Sequence, residues 1–151
     1  MIKSVDFLSK AEMQRLAPSE RTAVISITGA MGIPPSFRGF HGVLRLVFED
    51  ARQLDAKWAF NETQALAISG FVEGLHSSSQ ELDLIVHCKA GVSRSAAVAQ
   101  YVARKTGCGF TRHKLSHGAN RMMLRVLAAA DSELSLVDAT QEIHRGRGLG
   151  G

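Results

Sequence analysis

Residues 84–99, LIVHCKAGVSRSAAVA, decide how this 151-residue chain is organised. An apolar run ends in His87 and Cys88, a short polar turn follows, and Arg94 and Ser95 open an alanine-rich segment with helical spacing. The pattern predicts a buried strand, a tight loop and the N-terminus of a helix. In open α/β sheets a loop of this kind lies beyond the carboxyl ends of the strands, where ligands bind.

The rest of the chain predicts an α/β fold. Asn61 and Gln64 have capping-box spacing at the start of a long helical pattern, and Gly107 is placed to end the helix after Ser95. Apolar runs predict strands over residues 2–8, 23–28, 43–48 and 82–87, and helical patterns cover 9–17, 61–77, 95–106, 119–130 and 132–143. This alternation indicates a central, mainly parallel sheet of four to five strands flanked by helices. We expect one domain over residues 1–144, a Gly- and Pro-rich surface loop over 29–42, and a disordered tail over 145–151.

Composition and charge limit the classes of binding partner that the chain is expected to have. The net charge is +4 and 45% of residues are hydrophobic, which is typical of a globular protein and compatible with an anionic ligand. The chain contains no dense Lys/Arg block, and aromatic residues make up only 6%, so we expect no nucleic-acid partner. No run approaches the roughly 18 apolar residues of a membrane helix, and the first ten residues resemble no signal peptide. These features predict a cytoplasmic protein without membrane insertion.

The two cysteines, Cys88 and Cys108, are too few for a disulfide framework. They lack the spacing of a metal site, and His113 and His117, four residues apart, have no third ligand nearby in sequence. We therefore predict no bound metal and no role for Cys108.

The predicted loop has the chemistry of an anion site. A helix N-terminus offers unpaired N–H groups and a positive dipole end, and a short loop curling onto it adds more donors. Gly91 allows backbone conformations that other residues resist, and the guanidinium of Arg94 matches two phosphate oxygens. The same field favours the thiolate form of Cys88. A nucleophile facing a bound oxyanion suits phosphoryl transfer through a phosphocysteine.

This stretch resembles the H-C-x5-R-[ST] signature of the cysteine-dependent protein phosphatases, here His87, Cys88, Arg94 and Ser95. Residues 43–51, VLRLVFEDA, and the helix after Phe60 resemble the dual-specificity phosphatases and their small prokaryotic relatives. The resemblance covers roughly residues 24–127. It implies the cysteine phosphatase fold and cofactor-free hydrolysis of phosphotyrosine, with phosphoserine and phosphothreonine left open. Its expected partner is a phosphorylated protein or another phosphomonoester.

The resemblance also implies residue roles. Cys88 is the nucleophile, Arg94 binds the phosphate and the transition-state oxygens, and Ser95 helps the sulfur leave. His87 packs behind the loop and helps hold the ionised cysteine. The backbone N–H groups that cradle the phosphate belong to Lys89, Ala90, Gly91, Val92, Ser93 and Arg94.

An aspartate on the loop after the third strand is the general acid in that family, and spacing from the Phe60 helix points to Asp50. Asp55 is the rival. Residues 117–127, HGANRMMLRVL, resemble the segment whose asparagine supports the phosphate loop, which would be Asn120. Here Ala119 replaces the usual proline, and capping of the following helix is an equal alternative for Asn120.

Three other functions remain open from the sequence. A phosphoinositide or RNA 5′-phosphate substrate would use the same chemistry, and HCKAG is shared with the phosphatase-and-tensin lipid phosphatases, although Val92 stands where their second loop lysine lies. A rhodanese-type sulfurtransferase would also use a cysteine loop, without needing His87, Ser95 or an upstream acid. The third is a non-catalytic phosphate-binding module.

Overall fold

A four-stranded sheet organises the part of the chain that the computed structural model describes, residues 1–131. Its strands are β1 (Ile2–Ser9), β2 (Thr22–Thr28), β3 (Gly42–Val47) and β4 (Leu82–Cys88). They run in the spatial order β1-β4-β2-β3, and every pairing is parallel. The predicted α/β class with a mainly parallel sheet is therefore confirmed. The helix predicted over 132–143 and the tail predicted over 145–151 lie outside the described residues.

The helices begin and end close to the predicted positions. They are α1 (Lys10–Arg15), α2 (Glu62–His76), α3 (Arg94–Thr106) and α4 (Arg121–Ala130). At the capping box of α2, the Asn61 side chain accepts from the Gln64 N–H at 2.9 Å, and the Gln64 side chain accepts from the Asn61 N–H at 3.2 Å. The segment His113–Gly118 is a 3₁₀ helix. Among residues 1–131, none of these helices is long and apolar enough to cross a membrane.

Alternation along the strands divides the apolar side chains between the two faces of the sheet. Phe7, Ile25 and Val86 point into the larger core, which α2, α3 and α4 cover. Leu8 and Val24 point to the other face, into a smaller cluster that includes Met13 of α1 and is flanked by the loop between β2 and β3. A sheet covered on both faces explains why its strands read as nearly continuous apolar runs.

The parallel register gathers the carboxyl ends of the strands at one edge. Ser9 pairs with Cys88, Ser26 pairs with His87, and Thr28 pairs with Val47. The chain segments that follow all four strands therefore leave from the same edge. This edge is where the sequence places its candidate residues.

A buried polar cluster joins α3 to the end of α4. The Tyr101 hydroxyl donates to Asp131 at 2.5 Å, and the Lys105 ammonium lies 2.6 Å from the same carboxylate and 3.0 Å from Glu73. Burial alone would lower the pKa of Lys105, but the hydrogen bonds to Asp131 and Glu73 raise it above its ordinary value. The cluster holds α4, and with it Asn120, against the rest of the helical layer.

Two exposed glycines give opposite expectations for the same substitution. At both Gly74 and Gly107 an added Cβ would meet no atom within 4 Å, but Gly107 ends α3 with φ of +70° and Gly74 lies inside α2. We expect Gly74→Ala to raise the free energy of unfolding by about 0.5–1 kcal/mol, because alanine restricts the unfolded chain. Gly107→Ala should lower it by about 1 kcal/mol, because a Cβ disfavours the left-handed conformation. Urea denaturation measures both; shifts of the same sign would contradict this account of the α3 terminus.

Candidate active site

The sulfur of Cys88 lies beneath the loop that joins β4 to α3. We call residues 88–95 the cysteine loop. The Gly91 N–H donates to Cys88 Sγ at 3.3 Å, and Ser95 Oγ lies 3.1 Å from the same sulfur. Cys88 and Ser95 are both buried. A thiolate at this position would accept hydrogen bonds from both groups.

Gly91 is required by its contact with β1. Its φ is +68°, and a Cβ on it would lie 2.4 Å from the Ser9 nitrogen and 2.7 Å from the Leu8 carbonyl carbon. No side chain fits at these distances. The cysteine loop is therefore pressed directly against the backbone at the end of β1.

Neighbouring segments hold carbonyl groups of the cysteine loop. The Lys10 N–H donates to the Lys89 carbonyl at 3.2 Å, and the Asn120 N–H donates to the Ser93 carbonyl at 3.1 Å. Ser93 precedes α3 but makes no side-chain cap, so the first turn of this helix lacks a side-chain acceptor. Several amides of the loop, including those of Ala90, Val92 and Ser93, donate to no group of residues 1–131. Unpaired amides at a helix N-terminus form a cradle for an anion.

Arg94 is a buried cation without a carboxylate partner. Its side chain is only 9% exposed, and its Nη1 donates to the Phe48 carbonyl at 2.8 Å. Among residues 1–131 no Asp or Glu forms an ion pair with it. The guanidinium lines a cavity of about 370 Å³. A buried, unpaired guanidinium is unfavourable by itself, and an anion in the cavity would relieve it.

The cavity, which we call the Arg94 cavity, lies at the carboxyl edge of the sheet. Lys10, Lys89 and Glu49 line it together with apolar residues of the predicted surface loop, such as Met31 and Ile33. The Lys10 ammonium donates to the Ile33 carbonyl at 2.7 Å, and Glu49 accepts from the Ala30 N–H at 2.7 Å. Three cations and one carboxylate make the cavity electropositive.

Asp50 is joined to the cysteine loop. Its Oδ1 accepts from Ser93 Oγ at 2.8 Å and from Asn120 Nδ2 at 2.7 Å. Asn120 also donates to the Ala51 carbonyl at 2.8 Å and caps α4 by accepting from the Met123 N–H at 3.0 Å. The Asn120 side chain therefore caps α4 and also holds the segment that carries Asp50. The side chain of Asp55, in contrast, has no hydrogen bond within residues 1–131, so Asp50 is the carboxylate brought to the loop.

His87 is buried as a neutral base. It is 1% exposed, its Nε2 lies 2.7 Å from Ser26 Oγ, and its Nδ1 has no partner among the side and main chains of residues 1–131. Burial, together with the positive charges of Lys10, Arg45 and Arg94, lowers the pKa of His87 to about 4, against a backbone contact with Cys88 that raises it. The ring therefore packs behind the loop without adding a charge to it.

Sequence reasoning missed several residues around the cavity. Lys10 directly follows β1 and Glu49 lies two residues after β3, and a parallel sheet brings such positions to one edge; the first two residues after each predicted strand include both of them. Cys108 is a free, half-buried thiol. Within residues 1–131 no three His, Cys, Asp or Glu side chains are grouped as metal ligands would be.

Comparisons with known proteins returned no match. No protein-family model, no curated protein and no solved structure matches the chain. The features of the chain that bear on function are therefore its sequence motif and the geometry of the cysteine loop.

The neutral His87 predicts a specific loss of stability in acid. Its pKa is lower in the folded chain than in the unfolded one, so the unfolded chain binds more protons between pH 6.5 and about 4. The free energy of unfolding should therefore fall as the pH falls through this window, with a His87 contribution on the order of 2–3 kcal/mol. His87→Asn should flatten this part of the profile in urea denaturation from pH 7 to 4. The exposed His41→Asn is the control, and an equal flattening in both variants would contradict the assignment.

Proposed function

We propose that the chain is a cysteine-dependent protein phosphatase with the fold of that superfamily. Its site is not selective for phosphotyrosine alone, so it hydrolyses phosphotyrosine and also phosphoserine and phosphothreonine. The observation that carries the proposal is the pairing of a buried nucleophile with an unsatisfied anion site. Cys88 lies under a loop whose free amides and Arg94 have no anionic partner within residues 1–131. A phosphate monoester satisfies both at once.

Substrate binding uses the cradle. The phosphate oxygens accept from the unpaired loop amides and from the guanidinium of Arg94, which the Phe48 carbonyl holds in place. The phosphorus then faces Cys88 Sγ, and the leaving oxygen points away from the sulfur. The apolar side chains of Met31 and Ile33, both strongly exposed, lie along the wall of the Arg94 cavity and suit an aromatic leaving group.

In the first chemical step the Cys88 thiolate attacks phosphorus. The S–P bond forms, the bond from phosphorus to the tyrosine oxygen breaks, and Asp50 gives its proton to that oxygen. Ser93 and Asn120 both donate to Oδ1 of Asp50, so the proton is carried on Oδ2. The two donors fix the direction in which Asp50 presents it.

In the second step water hydrolyses the phosphocysteine. The Asp50 carboxylate accepts a proton from water as its oxygen attacks phosphorus, the S–P bond breaks, and the electron pair returns to Cys88. Ser95 Oγ, 3.1 Å from the sulfur, donates to the thiolate as it leaves. Inorganic phosphate is the product, and no cofactor enters either step.

Asp50, held on the cysteine loop by two hydrogen bonds, favours phosphomonoester hydrolysis over sulfur transfer and over phosphate binding without catalysis. A sulfurtransferase needs no general acid, and a non-catalytic binding module needs neither a buried thiol nor an aspartate held on the loop. Val92 is 54% exposed and supplies no charge where lipid phosphatases have a second loop lysine. These features support a protein substrate.

Hydrolysis of para-nitrophenyl phosphate and of phosphotyrosine peptides from pH 5 to 8 tests the proposal. Cys88→Ser should abolish turnover, because an alcohol is a poor nucleophile at this pH. Asp50→Asn should lower kcat on the peptide about 100-fold and flatten the basic limb of the pH profile, because the phenol must then leave unprotonated. The loss should be smaller for para-nitrophenyl phosphate, whose leaving group needs less help.

Asp55→Asn is the matched control, since it removes the same charge five residues away on the same loop. It should leave kcat within about twofold of the parent. A large loss in Asp55→Asn with little change in Asp50→Asn would move the acid to Asp55. Full turnover in Cys88→Ser would exclude a phosphocysteine, and binding of vanadate without turnover by the parent chain would leave only a phosphate-binding module.

A further inference from the structure

The two outermost strands of the sheet differ in how their outer main-chain groups are paired. Outside β1, the segment after α3 takes up these groups: the Val5 N–H donates to the Gly109 carbonyl at 2.9 Å, and the Gly109 N–H donates to the Lys3 carbonyl at 3.1 Å. Outside β3, no strand lies beside the sheet among residues 1–131. An open strand of this kind presents main-chain donors and acceptors to another strand.

The open groups of β3 belong to two residues. The Phe48 N–H donates to a carbonyl of β2 at 3.0 Å, so the even-numbered residues of β3 point their main-chain groups towards β2 and the odd-numbered ones point them outward. The outward carbonyl of Val47 is taken, because the Gln64 side chain donates to it at 2.9 Å. The N–H and C=O groups of Val43 and Arg45 have no hydrogen-bond partner within residues 1–131.

These four groups complement one another under two-fold symmetry. In an antiparallel pair, two opposite residues exchange both of their main-chain hydrogen bonds. With the symmetry axis at Leu44, Val43 lies opposite Arg45 of the partner subunit, and Arg45 lies opposite Val43 of the partner subunit. Four hydrogen bonds then form, and every open N–H and C=O group of the two residues is paired in both copies.

The distribution of charge is compatible with this pairing. Each chain carries a net charge of +4, so two copies can meet only where the surface is weakly charged. Arg45 is the one charged residue of β3, and its guanidinium carbon lies 5.1 Å from the centre of the Phe37 ring. It is therefore held over one face of the sheet. The register also places it opposite Val43 of the partner subunit, so the two Arg45 side chains are not directly opposed.

The flank of α2 extends the contact surface beside β3. Gln64 contacts the end of β3, and a Cβ on Gly42 would lie 3.9 Å from the Phe71 ring, so α2 runs along the strand. Ala67, which is small and exposed, lies between these two residues on the same flank. The side of the molecule along β3 is about 20 Å long and, with a layer of about 10 Å on each face of the sheet, about 30 Å deep. Its area of roughly 600 Å² is close to the ~800 Å² per partner of a stable interface.

We propose that two copies of this chain pair through β3, antiparallel about a two-fold axis at Leu44, and form one continuous eight-stranded sheet. Because the pairing is antiparallel, the carboxyl edges of the two four-stranded halves lie at opposite ends of the dimer. Each cysteine loop remains open to its ligand. The inference is therefore independent of the proposed phosphatase function.

Sedimentation velocity of the full 151-residue chain measures the assembly directly. We expect a species of twice 16.3 kDa with a Kd of about 1 µM or tighter. Ala67→Glu should raise the Kd at least about tenfold, because it places an unpaired carboxylate from each copy in the contact. Val43→Pro should raise it by a similar factor of about ten, because it removes one of the two open donors while proline is tolerated on an outermost strand.

Leu66→Glu is the matched control for Ala67→Glu. Leu66 is exposed, and it lies about 100° further round α2, away from the flank that carries Gln64 and Phe71. Its Kd should stay within about twofold of the parent. Far-UV circular dichroism checks that each variant is folded, and Ala67→Glu, at an exposed position, keeps the test available if Val43→Pro does not fold.

Amide hydrogen exchange identifies the contact itself. The amides of Leu44 and Leu46 point towards β2 and should be protected at every concentration, whereas those of Val43 and Arg45 should become protected only above the Kd. A monomer at all concentrations would overturn the proposal. A dimer in which the Val43 and Arg45 amides still exchange freely would also overturn it, and so would equal weakening by Leu66→Glu and Ala67→Glu.

Discussion

The two hydrogen bonds that Oδ1 of Asp50 accepts, from Ser93 and from Asn120, hold the candidate site together. They join the segment that carries Asp50 to two segments distant in sequence, since Ser93 lies 43 residues and Asn120 lies 70 residues after Asp50. Without them the segment after β3 keeps only the hydrogen bond from Arg94 to the Phe48 carbonyl, and the segment before α4 keeps only the one from the Asn120 N–H to the Ser93 carbonyl. A single carboxylate oxygen thus fixes the positions of the proposed acid and the unpaired amides of the cysteine loop relative to one another.

The burial of Arg94 is the second constraint, and it is energetic. Removing a guanidinium from water costs several kcal/mol unless the group is paired. Within residues 1–131 the guanidinium of Arg94 forms a hydrogen bond only with the Phe48 carbonyl. The chain tolerates this because the rest of the group faces an electropositive cavity that an anion can enter. Sites that are unfavourable when empty commonly have this arrangement, since the stability lost in folding is regained when the ligand binds.

Much of this structure could be predicted from local pattern. The strand ending near Cys88, the capping box of α2 and the glycine that ends α3 depend on residues close in sequence, and each was predicted correctly. Asp50 was preferred over Asp55 by spacing alone, and the structure brings Asp50 to the loop. Glu49 and Lys10 were missed because neither belongs to a local motif; only the shared carboxyl edge of the parallel sheet brings them to the cavity. Asn120 was ambiguous because its local pattern fits either role; in the structure its side chain caps α4 and binds Asp50, while its main-chain N–H donates to the Ser93 carbonyl.

The packing of Gly91 on the end of β1 has a consequence for how the site arises during folding. The cysteine loop is shaped against Leu8 and Ser9, about 80 residues earlier in the chain, so it cannot take its final form before this long-range strand pairing is complete. A nascent or partly folded chain that contains the whole motif therefore has neither the ordered cradle nor the shielded thiol. The cradle that can bind an anion therefore forms late, together with the cooperative closure of the sheet. A fragment that begins after β1 would keep the motif and lose the site.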